Sequence, residues 1–566
     1  MDTAYFREFN HSDQCEMHFF LDTEVADIGR VKEEIKAVRQ KSDTVASLLQ
    51  HIKNKLQKIL LDKEMVNLEL KENENNVENN VSTDIPVVLR RENKHVKGTM
   101  VLKNFPASLK QGNVFLEVFE QKFPVVVNAP FIKQIKLPSV LYANFTIQPT
   151  KFHAIYADNT KSLYYWYKSI DKLHWEEIGK GFIYLLKEED VGHYIKIVCI
   201  PFSECKVRGP SAQTISENVV ELMGELPTCP FEKRHEFTRT KLKGLEFRIV
   251  SYNILADRYT ADSESYAYCS PKALAIDYRK QLILRELLGY NADIICLQEV
   301  DNKHYTGYFK KKFNEINFGS VYHRKGNRIP EGLACIFNKT RYNIKESKHI
   351  VMSIEVQRHK VFSYIWNIIK KNEELKALFL RQSTSLQVSV LQDKQTKRCI
   401  IVGNTHLFYH PDADHIRLLQ VNMAAAYLNM IKRRYLRDGV DVSVVFCGDF
   451  NSNPEKSLLD YMLQGRISPE HEDCIKIHEN GKALLYHEFI FESACGTPKY
   501  TNYTPDFKGC LDYIFIESNR LNVERTVPLM DEEELGKYEG LPNEFYPSDH
   551  LALVADLRFK SRGMTL

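Results

Sequence analysis

Among the 12 cysteines of this 566-residue sequence none stands at CxxC spacing from another, so no zinc ribbon is written into the chain. Several cysteines, Cys296 and Cys447 among them, sit inside apolar strand-like runs, where the thiol acts as a small buried hydrophobe. That usage suits a reducing compartment. No apolar run is long enough to cross a bilayer, and no membrane partner is expected. The opening "MDTAYFREFNHSDQCE" lacks a secretory hydrophobic segment. Its Asp2, Glu8, Asp13 and Glu16 also set it apart from acidic-poor, Arg-rich transit peptides. A charge excess of one sign is missing too: 77 Lys and Arg face 74 Asp and Glu, a net +3. A basic footprint for a polyanion would therefore have to be local. What is present is length. At 566 residues and 43% hydrophobic content the chain exceeds one ordinary core, and two or three domains are expected.

The texture of the sequence divides it. Residues 1–93 read as an N-terminal strand and an amphipathic helical segment. Ile28, Val31, Ile35 and Val38, then Val45, Leu48, Leu49, Ile52 and Leu56, recur at helical spacing. "KENENNVENN" (71–80) has little to bury and reads as a disordered loop. From 94 to 223 short β-rich runs alternate with turn signals, which predicts a β-sandwich accessory domain with an immunoglobulin-like cast. Trp166 amid tyrosines and the later "EEDVGHYIKIVC" carry that likeness. No cysteine near Trp166 offers a disulfide partner between sheets. Residues 224–243 read as a linker. From 244 to 562 buried strands alternate with helices, the pattern of an α/β layered domain.

In that last region the apolar runs end in polar residues. Asn253 closes "IVSYN", Glu299 closes "IICLQE", His406 follows "IIVGNT", and Asp449 and Asn451 follow "VVFCG". Asp512 lies in "CLDYIF", and Asp549 and His550 lie in "PSDH" ahead of the final strand. One such residue is ordinarily a cap or a turn. Their recurrence on successive strand ends, with glutamate and histidine among them, is not turn chemistry. Carboxylates and amide oxygens without a thiolate suit Mg²⁺ or Mn²⁺ rather than zinc. Two histidines add acid and base capacity near neutral pH. Together they fit hydrolysis of a phosphate ester.

"SYNIL", "LQEV", "NTHL", "GDFN", "LDYIF" and "SDH", in this order, resemble the endonuclease/exonuclease/phosphatase superfamily of metal-dependent phosphodiesterases. "SYNILAD", "LQEVD" and "NTHLFYHP" are similar to its deadenylase branch, and longer stretches to its mitochondrial 2′,5′-phosphodiesterase group. The resemblance covers the C-terminal domain and implies an α/β/β/α sandwich of two packed mixed sheets. It implies a Mg²⁺-dependent (or Mn²⁺-dependent) phosphodiesterase and 3′-exoribonuclease that releases 5′-AMP. The implied substrates are 2′,5′-oligoadenylates and 3′,5′-linked poly(A) tails. By motif position, Glu299, Asp449, Asn451 and Asp549 are the implied metal ligands, Asp549 toward a second ion. Family mechanisms assign the proton to either the aspartate of GDFN or the histidine of SDH. Asp449 is taken as the proton donor and acceptor, with His550, oriented by Asp512, acting on phosphate or water. Asn253 and His406 are expected to hold the scissile phosphate.

Pro411 and Phe507 fall where the deadenylases clamp the terminal adenine. Stacking of that kind holds any base and leaves adenine preference open. The basic runs "FKKKFNEINFGSVYHRKGNR" and "IKRRYLR" divide: the first is weighed toward RNA, in a loop beside the metal, the second toward a helix C-terminus that favours cations anyway. Two alternatives stay open. One is a phosphoesterase of the same superfamily acting on inositol phosphates or lipids, the other a non-catalytic RNA-binding module. The resemblance implies a mitochondrial matrix location, while the opening residues lack a transit signal and leave the cytoplasm as the other address. No protein partner is indicated, and linkage preference and the number of metal ions are not legible.

Overall fold

The computed structural model describes residues 3–9, 12–26, 28–69, 85–92, 94–109, 113–260, 264–326, 329–478 and 484–561. The chain forms two compact units, Met1–Glu221 and Leu222–Leu566. No helix among the described residues is long and apolar enough to cross a membrane.

In the first unit a seven-stranded sheet runs in the order Gly29–Gln40, Gln14–Val25, Ala4–Glu8, Gln121–Val127, Val114–Val118, Val87–Arg91, Lys94–His95. The first set of apolar residues, expected as helix, is a strand: Gly29–Gln40 pairs along its length with Gln14–Val25. Val31 and Ile35 stand four apart, a spacing that satisfies a period of two as well as one of 3.6. Burial of Val31, Ile35 and Ala37 against Met17, Phe19 and Leu21 selects the former. The second set does form a helix, Val45–Glu69, which buries Val45, Leu48, Ile52 and Leu56 in that same core. The sheet crosses the expected boundary at residue 94, because strands after it pair back onto the first three. The loop at 71–80 lies outside the described residues.

Later in this unit Leu163–Ser169 pairs with Glu176–Lys180 and Tyr194–Ile200, and Tyr194–Ile200 pairs with Ala212–Ile215. Trp166 is core. It is fully buried, stacks on Tyr184 at 6.0 Å between centroids, and donates its indole N–H to the Gly181 carbonyl at 2.7 Å.

In the second unit two six-stranded mixed sheets pack face to face. One has the order Phe318–Arg324, Glu331–Asn338, Ile294–Asp301, Glu246–Asn253, Leu553–Phe559, Leu521–Thr526. The other runs Tyr342–Val351, Ser385–Asp393, Cys399–His406, Val442–Asp449, Asp512–Glu517, Phe491–Ser493. Alternate residues of each strand point to opposite faces. Ile249, Cys296 and Cys335 of one sheet thereby meet Val402, Val445, Cys447 and Ile514 of the other. The outer faces are covered by helices, Ile276–Gly289 on the first sheet and Asp414–Arg437 on the second. This is the expected α/β/β/α sandwich. The span expected as linker is part of this unit: Arg234, in the helix Glu232–Glu236, is buried and donates to Tyr290 Oη and to the Pro528 and Ala552 carbonyls.

Polar bonds lock the two sheets together below the site. Gln298 Nε2 donates to Asn404 Oδ1 at 2.8 Å, and Asn404 Nδ2 donates to the carbonyls of Leu297 and Ala334. A one-residue slip of either strand would strand these buried amides without partners, so they fix register as well as stability.

Candidate active site

The parallel pair Cys399–His406 and Val442–Asp449 ends with His406 level with Asp449. The antiparallel pair sets Asp449 level with Asp512. Asn253 ends the neighbouring sheet's strand beside Gln298. Strand termini of both sheets therefore converge at one end of the sandwich. Gly448 is required by the approach. Its φ is +149°, and a Cβ there would sit 2.0 Å from the Thr405 carbonyl oxygen.

Around Asp449 the geometry is tight. Asn253 Nδ2 donates to Asp449 Oδ2 at 3.0 Å and to Glu299 Oε1 at 3.1 Å, so one amide bridges two carboxylates. His406 Nε2 lies 3.5 Å and His550 Nε2 3.7 Å from Asp449 Oδ2. Behind His550, Asp512 Oδ2 lies 2.8 Å from Nδ1. The Asn451 backbone N–H donates to Asp449 Oδ1, and its side-chain nitrogen donates to the Leu407 carbonyl. Glu299 and Asn451 both adopt left-handed backbone, at φ 57° and 50°. Glu299 lies at an irregularity of its strand between Leu297 and Val300. Strained non-glycine residues of this kind cluster where a fold must aim a side chain.

The charges respond to burial and to one another. Burial, with the repulsion of Glu331 and Asp549, raises the Glu299 carboxyl to about 7. Burial and the nearby Lys325 ammonium lower His406 to about 3, which makes it a neutral imidazole at pH 7. For His550 burial opposes the charge, but Asp512, Asp449 and Asp549 overcome it and hold the imidazolium well above its ordinary range. One buried site thus keeps one histidine neutral and the other charged.

The sequence-predicted residues Asn253, Glu299, His406, Asp449, Asn451, Asp512, Asp549 and His550 are brought together. Pro411 and Phe507 stand on exposed loops, Phe507 36% exposed. Among the described residues, the group with ligand atoms all within 4.8 Å of one another is Asp449, Asp512 and His550. The bridging Asn253 amide sets the spacing of Glu299 from Asp449, and Tyr266 donates to Asp549 Oδ2 at 2.8 Å.

Sequence reasoning missed the supports. Lys325 Nζ lies 3.0 Å from His406 Nδ1 and 2.9 Å from Glu331 Oε1. Its signal was the "HRKGNR" run. The other lysines of that stretch are on the exposed face of the helix Lys310–Glu315, not in a loop beside the site. "IKRRYLR" is a helix end whose Lys432, Arg433 and Arg434 pair with Glu517, Glu488 and Glu346.

Does this set suit a metal? Its donors are carboxylate, amide and imidazole with no thiolate. The Glu299 carboxyl is pressed toward protonation by neighbouring negative charge that a cation would relieve. The buried Asp512 Oδ1 has no hydrogen-bond partner. These observations fit a divalent cation.

Two packed mixed sheets with acidic, amide and imidazole groups gathered on their strand ends define a hydrolase acting on phosphodiester bonds. The chain belongs to the endonuclease/exonuclease/phosphatase family, which it matches over residues 250–550. It is 35% identical over 477 residues to 2′,5′-phosphodiesterase 12 of Bos taurus, a match spanning 80% of this chain and 77% of that one. It is 32% identical over 391 residues to the CCR4-Not complex 3′-5′-exoribonuclease subunit Ccr4 of Schizosaccharomyces pombe, covering 62% of this chain and 54% of that one. Among solved structures, that of ANGEL2, a 2′,3′-cyclic phosphatase, in complex with adenosine-2′,3′-vanadate is 25% identical. It covers 56% of this chain and 97% of that chain with a TM-score of 0.48.

Proposed function

We propose that the protein is a Mg²⁺-dependent exoribonuclease that removes 5′-AMP from the ends of adenylate chains, both 2′,5′- and 3′,5′-linked. The observation that carries this reading is Asp449, ringed by Asn253, His406 and a His550 whose far nitrogen faces Asp512. The matched relatives named as a 2′,5′-phosphodiesterase and a 3′-5′-exoribonuclease support the substrate class.

Glu299, Asp449, Asn451 and Asp549 would hold Mg²⁺, with Mn²⁺ able to replace it. Such an ion, when bound, neutralises charge on the non-bridging phosphate oxygens. The chain's own groups do the rest. Asn253 fixes the relative positions of Glu299 and Asp449 with the two protons of its amide, and is assigned to the scissile phosphate by its place in the SYNIL motif. His406, neutral, accepts from Lys325 at Nδ1 and so carries its proton on Nε2, the side that faces Asp449. His550, charged and steadied by Asp512, presents a second N–H to the phosphate. Asp449 accepts a proton from the attacking water. The water oxygen bonds to phosphorus, the bond from phosphorus to the 2′- or 3′-oxygen of the preceding nucleotide breaks, and that oxygen leaves as a hydroxyl with the proton that Asp449 took from the water. Pro411 and Phe507 are assigned to the terminal base, with Phe507 as the stacking ring.

The test is hydrolysis of 2′,5′- and 3′,5′-linked triadenylate with Mg²⁺ or EDTA, by the wild type and by Glu299→Ala. Metal-dependent release of 5′-AMP that is lost in the variant is expected. No turnover of either substrate by folded protein would overturn the reading.

A further inference from the structure

The four-stranded sheet of the first unit has two unlike faces. Tyr164, Trp166, Ile195, Ile197 and Cys199 fill the core on one side. The other side carries Tyr165 and Tyr167 from one strand and Tyr194 and Lys196 from the next, half-exposed. Tyr167 lies directly opposite Lys196, and Tyr165 opposite Val198 and Lys180. The connecting segment adds Lys172 and Trp175.

Cations and rings are interleaved on this face. Lys196 Nζ lies 4.0 Å from the Trp175 ring centroid and 5.0 Å from that of Tyr167. Lys172 Nζ lies 3.9 Å over Tyr194, and Lys180 Nζ 5.3 Å over Tyr165. Among the described residues neither Lys172 nor Lys196 pairs with a carboxylate, whereas Lys180 shares the edge with Glu177 at 3.5 Å. Ile170 and Leu173, 73% and 78% exposed, extend apolar surface on the same connection. The arrangement has a chemical meaning. Lysine is depleted from the centres of protein–protein interfaces. Aromatic rings alternating with ammonium groups instead match a strand that alternates flat bases with phosphates. Tyr165 and Tyr167, two residues apart along a strand, are spaced by about 6.8 Å, with room for successive splayed bases.

We propose that this face binds single-stranded nucleic acid, its rings stacking on bases and Lys172 and Lys196 meeting phosphates. It is a binding surface made wholly within the first unit and shares no residue with the candidate active site. The choice of an adenylate strand as its ligand rests on the function proposed above.

The experiment measures binding, not turnover. Fluorescence anisotropy of a labelled 20-nucleotide oligoadenylate is titrated with the full chain in EDTA. The wild type is compared with the double variants Lys172→Glu/Lys196→Glu and Tyr165→Ala/Tyr167→Ala, each checked for an unchanged unfolding midpoint. Each variant is expected to bind at least about tenfold more weakly. The lysine variant is also expected to lose about 1.4 from the slope of log K against log salt concentration, 0.7 for each phosphate contact. Binding by the folded lysine variant at the wild-type level would overturn the proposal. So would undiminished binding by the folded tyrosine variant, since that would reduce the face to a patch of charge. Because no cleavage is read, an inactive catalytic site would leave this assay intact and its outcome separable.

Discussion

Replacing Asp512 by asparagine should change how the enzyme depends on pH as well as how fast it works. Asp512 Oδ2 and His550 Nδ1 are 2.8 Å apart in a site where both side chains are at most 6% exposed. Burial works against the His550 charge, and Asp512 is the largest of the groups that restore it, ahead of Asp449 and Asp549. Asparagine keeps the shape and a hydrogen-bond acceptor but removes the negative charge. Breaking a buried charge pair from one side costs about 3–5 kcal/mol. That is a cost to folding; in the reaction the charge-assisted bond behind His550, worth about 1.5–3 kcal/mol, is weakened where the imidazolium meets the phosphate, an expected loss of roughly 10- to 150-fold in kcat. The sign of the pH effect follows from the raised pKa. In the wild type His550 stays charged through neutrality, so the rate should hold until pH rises through that elevated value. In Asp512→Asn the imidazolium titrates lower, the rate should fall on passing through neutrality, and acidification should restore part of it. The same linkage predicts that the pair's contribution to stability is complete below the unfolded-state pKa of histidine, about 6.5, and is lost as pH rises through the folded value. The assay is 5′-AMP release from triadenylate between pH 5.5 and 9. A variant that is slower by a constant factor at every pH would refute the role given to the Asp512 charge.

Other substitutions separate binding, strain and support. Glu299→Gln should abolish metal-dependent turnover yet stabilise the chelated protein at pH 7. The wild-type carboxyl is raised to about 7, so its folded form binds protons that the unfolded form does not. In EDTA the wild type should therefore gain stability relative to the variant as pH falls from 7 toward 4.5, read by urea unfolding; parallel curves would contradict this. Phe507→Ala should lower kcat/KM for adenylates about 5- to 150-fold, the worth of one stacked base, while leaving the unfolding midpoint in place. Asp556→Ala should cost about 3–5 kcal/mol in urea unfolding, since it leaves the fully buried Arg248 guanidinium, bonded to Asp556 at 2.6 and 3.0 Å, without its counter-charge. A loss below about 1 kcal/mol would mean that Arg248 is satisfied by its carbonyl partners alone.

By itself the sequence determined the layered α/β class of the catalytic unit and nearly all the groups at its centre. Strand composition and the recurrence of Asn, Glu, His and Asp at strand ends are local properties, and a site built on strand ends inherits their order. It did not determine the first unit's sheet, because apolar residues four apart at Val31 and Ile35 suit a strand and a helix equally until a partner strand chooses. Nor could it set the protonation of the two histidines. His406 and His550 have the same chemistry in the sequence, and only the fold places Lys325 behind one and Asp512 behind the other. The aiming of Glu299 by left-handed backbone, and the Asn253 amide shared between Glu299 and Asp449, likewise exist only once residues 46 and 196 positions apart are brought within hydrogen-bonding distance. Local pattern fixes which groups a strand carries to its end. Long-range packing decides what each one faces, and at a buried site the facing group decides the charge.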